Sequence, residues 1–371
     1  MEYMNEAVKE QEVTEKEVSE PEFNEKIETK AQLEAFYSQG FRHSGVAYLR
    51  FILMAFVCFW YFGFPEPTGI LSSISGFAIP CFFILSGYFI LSDSKEISTE
   101  KEKRKIKRSL LCFAIIFVLY LSINVLIYVL QKYSVTISPR TVFNFLVLNL
   151  WPLPVGSNIW FIQSMLYAYI LIFIAEKLNL MRFYKPVLII TMLFMLLSGE
   201  FAGLIRFNIL GYRFIPGNWL TRALPYILLG KFLREKEERI LKIAKWKYIV
   251  IWIMGAVLAL AEMFLLMRTG FLVYEGHMIG YGIMAVAACG LALSKPLANE
   301  NPITAVLTQF DPVLTGIIYV LLEPAYYMIG LIFGSGHISL FSIFGSLAAL
   351  VASILFSLLL KNIKPIKALF S

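Results

Sequence analysis

The chain is 371 residues long, 58% hydrophobic and only 16% charged, with a net charge of +7 and a mean hydropathy of +0.70. That balance excludes a soluble globule, because a single core cannot hide so much apolar surface and lipid has to cover it. The apolar residues fall in blocks of about 20, the length at which an α-helix crosses about 30 Å of hydrocarbon, and they lack the alternation of a closed β-barrel. The predicted class is therefore all-α, a polytopic transmembrane helix bundle, and the basic residues between the blocks suit a lipid bilayer rather than nucleic acid.

Residues 1–40 open with a tract dense in Glu and Lys, EAVKEQEVTEKEVSEPEFNEKIETK. With little apolar surface to bury, this part is expected to be a disordered, charged cytoplasmic tail. It has no apolar core followed by small residues, so it does not read as a signal peptide. Residues 41–371 form the transmembrane domain. Windows of about 19 residues place spans near 46–64, 69–92, 108–130, 158–177, 184–200, 217–234, 247–267, 272–294, 312–334 and 338–361. The stretch 141–155, TVFNFLVLNLWPLPV, is apolar but too short to cross, and reads as a re-entrant or interfacial helix.

Alternate loops carry the basic residues: seven in 95–108, three in 177–185, seven in 231–247 and three after Ser357. Lys and Arg concentrate in cytoplasmic loops, so about ten spans with both termini cytoplasmic satisfy the pattern. The loops between them hold few, such as Lys132, Arg140, Arg206 and Arg213. Trp60, Trp151 and Trp219 fall near predicted outer span ends, where amphipathic rings favour the interface. Cys58, Cys81, Cys112 and Cys289 all lie in apolar stretches and read as small buried hydrophobes rather than disulfides or metal ligands.

An ionisable group inside a span costs at least about 2.5 kcal/mol on insertion scales, so each one needs a partner, a cavity or a function. Four stand out: Arg50 in YLRFILMAF, Arg222 in WLTRALPYILLG, Glu262, and Glu323 in YVLLEPAYY. Snorkelling accounts equally well for Arg50, and ion pairing within the bundle for Arg222 and Glu262. Glu323 differs because Pro324 follows it and weakens the helix there, bringing backbone polar groups and a carboxylate to one place. The three histidines, His43, His277 and His337, fall at span ends or in loops and read as solvated surface. No phosphate-binding glycine loop, Cys/His metal spacing or nucleophile elbow is present, so no metal and no bound cofactor is expected.

Three segments together resemble the integral-membrane acyltransferase 3 family, over roughly residues 42–360. IPCFFILSGYFIL at 79–91 is similar to that family's second-span signature of a Pro, paired Phe and Ser-Gly-Tyr. NIWFIQSMLYAYIL at 158–171 is similar to its Leu-Trp-Phe segment, with Trp160 at the Trp. RALPYILLGKFLR at 222–234 is similar to its Pro-Phe/Tyr-x-x-x-Gly segment. Independently of the family, Ser86, Gly87 and Tyr88 put small and hydroxylated residues on a helix, which suits close helix approach and hydrogen bonding.

The resemblance implies an O-acyltransferase that moves an acyl group, acetyl first of all, from cytoplasmic acyl-CoA (acetyl-CoA) to a hydroxyl of a cell-surface glycan or lipid-linked sugar. It implies donor binding at Arg50, Ser86 and Tyr88, and an acceptor beside Glu323 or Tyr61, with Arg222, Trp160 and Glu262 as further candidates. The compartment implied is a bacterial plasma membrane. In the family, a His stands eleven positions after the first-span Arg; here that place is Tyr61. A second His stands in a Tyr-Leu-x-His-Pro segment; here Glu323 occupies it. Tyr, with a pKa near 10, is a poor base at neutral pH. Three outcomes follow: Glu323 has become the base, His277 or His337 reaches in from a loop, or acyl transfer has been lost. The last would leave a small-solute transporter or accessory subunit. Pro80 and Pro324 offer the helix breaks a transporter uses, but no inverted repeat accompanies them.

Overall fold

The computed structural model describes residues 44–63, 70–90, 95–131, 138–198, 218–269, 278–294, 312–333 and 338–364. The acidic tail and all three histidines lie outside them. Among the described residues there is no strand. The helices are α1 (Ser44–Phe62), α2 (Ala78–Ile90, led in by the turns Ile70–Ile74 and Ser75–Phe77), α3 (Lys95–Gln131), α4 (Pro139–Leu148), α5 (Ile159–Lys177) and α6 (Tyr184–Ser198). They continue with α7 (Leu224–Glu235, opened by a π turn at Trp219–Ala223), α8 (Lys245–Thr269), α9 (Ile279–Leu293), α10 (Pro312–Phe333) and α11 (Ile338–Leu360). The chain is an all-α polytopic bundle in which 7 helices among the described residues are long and apolar enough to cross a membrane. They answer to the predicted spans at α1, α2, α3, α5, α6, α8 and α10, while the apolar helices at α9 and within α11 are shorter.

Two details depart from the sequence expectation. The basic segment 95–108, read as a loop, is the opening third of α3. Glu and Lys are strong helix formers, so the helix continues past the end of its apolar part. The stretch 141–155 divides into α4, whose Ser138 cap and Thr141 form a reciprocal capping box, and a non-helical run beginning at Asn149, which takes the left-handed conformation. No residue of α4 is buried.

Small residues set the closest helix approaches. A Cβ placed on Gly87 of α2 would overlap the Ile227 carbonyl of α7, and one on Gly230 of α7 would overlap the Ile84 carbonyl of α2. The Ser-Gly-Tyr and Pro-Tyr-x-x-x-Gly segments are therefore one structural unit, two backbones in contact through a pair of glycines. Gly255 of α8 and Gly280 of α9 meet in the same way. The four cysteines are free and buried, while the outward faces of α3 and α8 expose Leu, Ile, Val and Met.

Candidate active site at the start of α5

Helix α5 begins without a side-chain cap of its own, since Asn158 makes no capping hydrogen bond from its side chain. The cap comes from another helix. Glu323, halfway along α10 and 9% exposed, points its carboxylate at the loop before α5. Its Oε1 accepts from the backbone N–H groups of Gly156 (2.8 Å) and Ser157 (3.1 Å). Its Oε2 accepts from the Asn158 N–H (3.1 Å) and the Ser157 hydroxyl (3.3 Å). An anion at a helix N-terminus satisfies orphan donors and meets the positive end of the helix dipole. Gly156 is required for this geometry: its φ is +116°, and a Cβ there would overlap Trp151 and Tyr120.

Pro324 contributes one residue further on. A proline inside a helix cannot donate to the carbonyl four residues back, which is Val320, and the buried Tyr120 hydroxyl of α3 donates to that carbonyl at 2.8 Å instead. Helix α10 stays continuous through Pro324 because a neighbour supplies the missing donor.

The same loop gathers Tyr61. Tyr319, one turn before Glu323, donates its hydroxyl to the Asn158 carbonyl (2.9 Å) and takes the Asn158 side-chain N–H on its own carbonyl (3.0 Å). The Tyr319 and Tyr61 hydroxyls lie 3.3 Å apart, and Trp160 Nε1 donates to the Tyr61 hydroxyl at 2.8 Å. The Arg222 guanidinium, 4% exposed, lies 5.4 Å from the centre of the Trp160 ring, with Tyr61, Tyr226, Tyr281 and Tyr319 in electrostatic range. Tyr61, Trp160, Arg222 and Glu323, four separate candidates in the sequence, thus form one cluster. Positions 61 and 323 are joined through Tyr319 and Asn158.

Arg50 sits on α1 eleven residues before Tyr61, roughly 16 Å along the axis at 1.5 Å per residue. It lines a cavity of about 210 Å³ together with Lys105 and Arg108 of α3. The remaining lining is largely apolar, from Met54, Phe82, Phe161, Ile162 and Met165 among others, and it reaches Tyr319. The lining thus combines three basic side chains, an apolar stretch and Tyr319, whose hydroxyl lies 3.3 Å from that of Tyr61.

Other candidates take other places. Ser86 hydrogen-bonds to the hydroxyl of Tyr169, which lines the cavity. Tyr88 is absent from that lining and packs under Arg234, whose Nη1 lies 3.4 Å from its hydroxyl and 2.9 Å from Glu237. Glu262 accepts from the Gly280 N–H at 3.2 Å, so it caps α9 much as Glu323 caps α5. Sequence reasoning missed Tyr319, Asn158, Ser157, Lys105 and Arg108. Only the four-residue spacing of Tyr319 and Glu323, which puts both on one helix face, was a usable signal.

A family model described as an acyltransferase domain matches residues 43–361. The chain therefore belongs to the acyltransferase 3 family and is a membrane protein carrying an acyltransferase domain. No curated protein and no solved structure matches it.

Proposed function

We propose that the chain is a membrane-bound O-acyltransferase that takes an acyl group, acetyl first of all, from cytoplasmic acyl-CoA and delivers it to a hydroxyl of a cell-surface glycan or lipid-linked sugar. The observation that carries this reading is the cavity running from Arg50, Lys105 and Arg108 to Tyr319. Three basic side chains on one wall suit a polyanionic donor, since Arg pairs with phosphate through two parallel N–H groups. The apolar sleeve suits the donor's uncharged arm, and Ser86 acts there only through Tyr169. The thioester then lies at the hydroxyl cluster, at the far end from the cations.

Transfer breaks the thioester C–S bond and forms a C–O bond; the acceptor hydroxyl gives up its proton to a base, which passes it to the departing CoA thiolate, so that free CoA leaves. Within the cluster that base is Glu323. A carboxylate offers about four lone-pair sites, and Glu323 uses four on the loop. One donor has to leave for the acceptor to enter. The Ser157 hydroxyl, the longest of the four at 3.3 Å and the one side-chain donor among them, is the group an acceptor hydroxyl replaces. Tyr61, held by Trp160 and Tyr319, orients the reacting groups, and the Arg222 charge stabilises the oxyanion that develops as the carbonyl is attacked.

The test is transfer of labelled acetyl from acetyl-CoA to cell-envelope glycan in membranes carrying wild type, Arg50→Ala or Glu323→Gln. Transfer by wild type that both substitutions abolish supports the reading. An inactive wild type favours the competing reading of a small-solute transporter or accessory subunit, for which the saturated Glu323 carboxylate and the Tyr at position 61 speak.

A further inference from the structure

We propose that a second cavity, between α1, α8 and α9, binds one acyl chain of an anionic phospholipid, with its headgroup at the lysines that begin α8. The cavity holds about 620 Å³ and is walled by Leu49, Ile52, Phe56, Trp252, Ala288 and Leu291 among others. It opens to the outside of the bundle, since Ile52 is 46% and Ile249 is 50% exposed. It shares no lining residue with the cavity at Arg50 and stands independently of the acyl-transfer reading.

Its depth selects a lipid chain. Along α1 the lining runs from Gly45 to Phe56, roughly 16 Å at 1.5 Å per residue, or about half of a 30 Å hydrocarbon core. That is one leaflet. Its small floor comes from α9, where Ala287, Ala288 and Ala292 leave room that larger side chains would fill.

Charge at the mouth selects the headgroup. Lys245 stands on the same face of α8 as the lining residues Tyr248, Ile249 and Trp252, one turn nearer the helix end. Lys242, Lys245 and Lys247 are exposed, and the sequence from Arg239 to Ala261 contains no Asp or Glu. Trp246, 62% exposed beside them, marks the depth at which indole rings settle, the headgroup level. A lysine next to an anionic lipid surface contributes roughly a fivefold preference.

The test is native mass spectrometry of the full chain released from vesicles of phosphatidylcholine and phosphatidylglycerol in equal amounts. Wild type is expected to keep phosphatidylglycerol in preference to phosphatidylcholine. The triple variant Lys242→Gln, Lys245→Gln, Lys247→Gln should keep a phospholipid but lose roughly fivefold of that preference per lysine. Ala288→Phe fills the cavity and should release the lipid; Ile52→Trp fills it from its exposed edge and serves where Ala288→Phe does not fold. Equal retention of the two lipids by wild type, or undiminished retention by the folded filled variants, overturns the proposal. So does a photo-crosslinker at position 252 that captures residues 1–43 or a second copy of the chain instead of lipid.

Discussion

The Glu323 carboxylate accepts a hydrogen bond from the Gly156 N–H at 2.8 Å, tying the middle of α10 to the loop that opens α5. Replacing it by Leu removes the acceptor from three backbone N–H groups of that loop, of which those of Gly156 and Asn158 are buried. The expected cost is about 3 kcal/mol or more, read by denaturant unfolding in detergent. Glu323→Gln keeps one acceptor oxygen, so it should cost less stability while still abolishing transfer. A Gln variant with full activity would remove Glu323 from the chemistry.

Ser157→Ala separates the two duties of that carboxylate. It deletes the hydroxyl at 3.3 Å and leaves the three backbone donors in place. Acetyl transfer should be maintained or rise, with little change in stability, because the acceptor hydroxyl no longer has to displace Ser157. A fall to the level of Glu323→Gln would mean that the serine itself takes part.

A histidine can be placed at position 61. Tyr61→His places a near-neutral base beside Trp160 and Tyr319, and general bases contribute roughly a hundredfold or more, so even an imperfectly placed imidazole should raise the transfer rate roughly tenfold. Tyr61→Phe should lower it, since Trp160 Nε1 then loses its acceptor. Rates in isolated membranes check both.

The cationic rim makes a prediction about the donor alone. Lys105→Ala and Arg108→Ala should each raise the KM for acetyl-CoA roughly tenfold, the worth of a charge-assisted hydrogen bond, and leave kcat largely unchanged. Both lie beside Arg50 in the cavity lining. An unchanged KM with a lowered kcat would place the donor elsewhere.

Gly87→Ala and Gly230→Ala test the seam between α2 and α7. Either methyl would overlap a backbone carbonyl of the other helix, and an unyielding overlap costs about 1–3 kcal/mol. Both should lower the detergent melting temperature, and the double variant should cost less than the sum because one displacement relieves both clashes.

Much of this protein was open to reading from its residues in order. The apolar blocks that form helices and the ionisable residues within them are local properties: each follows from the energy of placing a given side chain or backbone group in hydrocarbon. Resemblance to the acyltransferase 3 family rested on three short segments whose order along the chain carries information. What only the tertiary structure decided is which distant groups meet. Ser-Gly-Tyr and Pro-Tyr-x-x-x-Gly give no sign in sequence that their glycines face each other, because helix approach depends on two surfaces at once. Tyr61 and Glu323 are far apart along the chain, and their connection through Tyr319 and Asn158 depends on how α1, α5 and α10 pack. Above all, the sequence shows a carboxylate in a span but not its donors. A buried charge has to be satisfied by whatever lies next to it, and that neighbour, the start of α5, is set by packing between helices rather than by anything in the residues around Glu323.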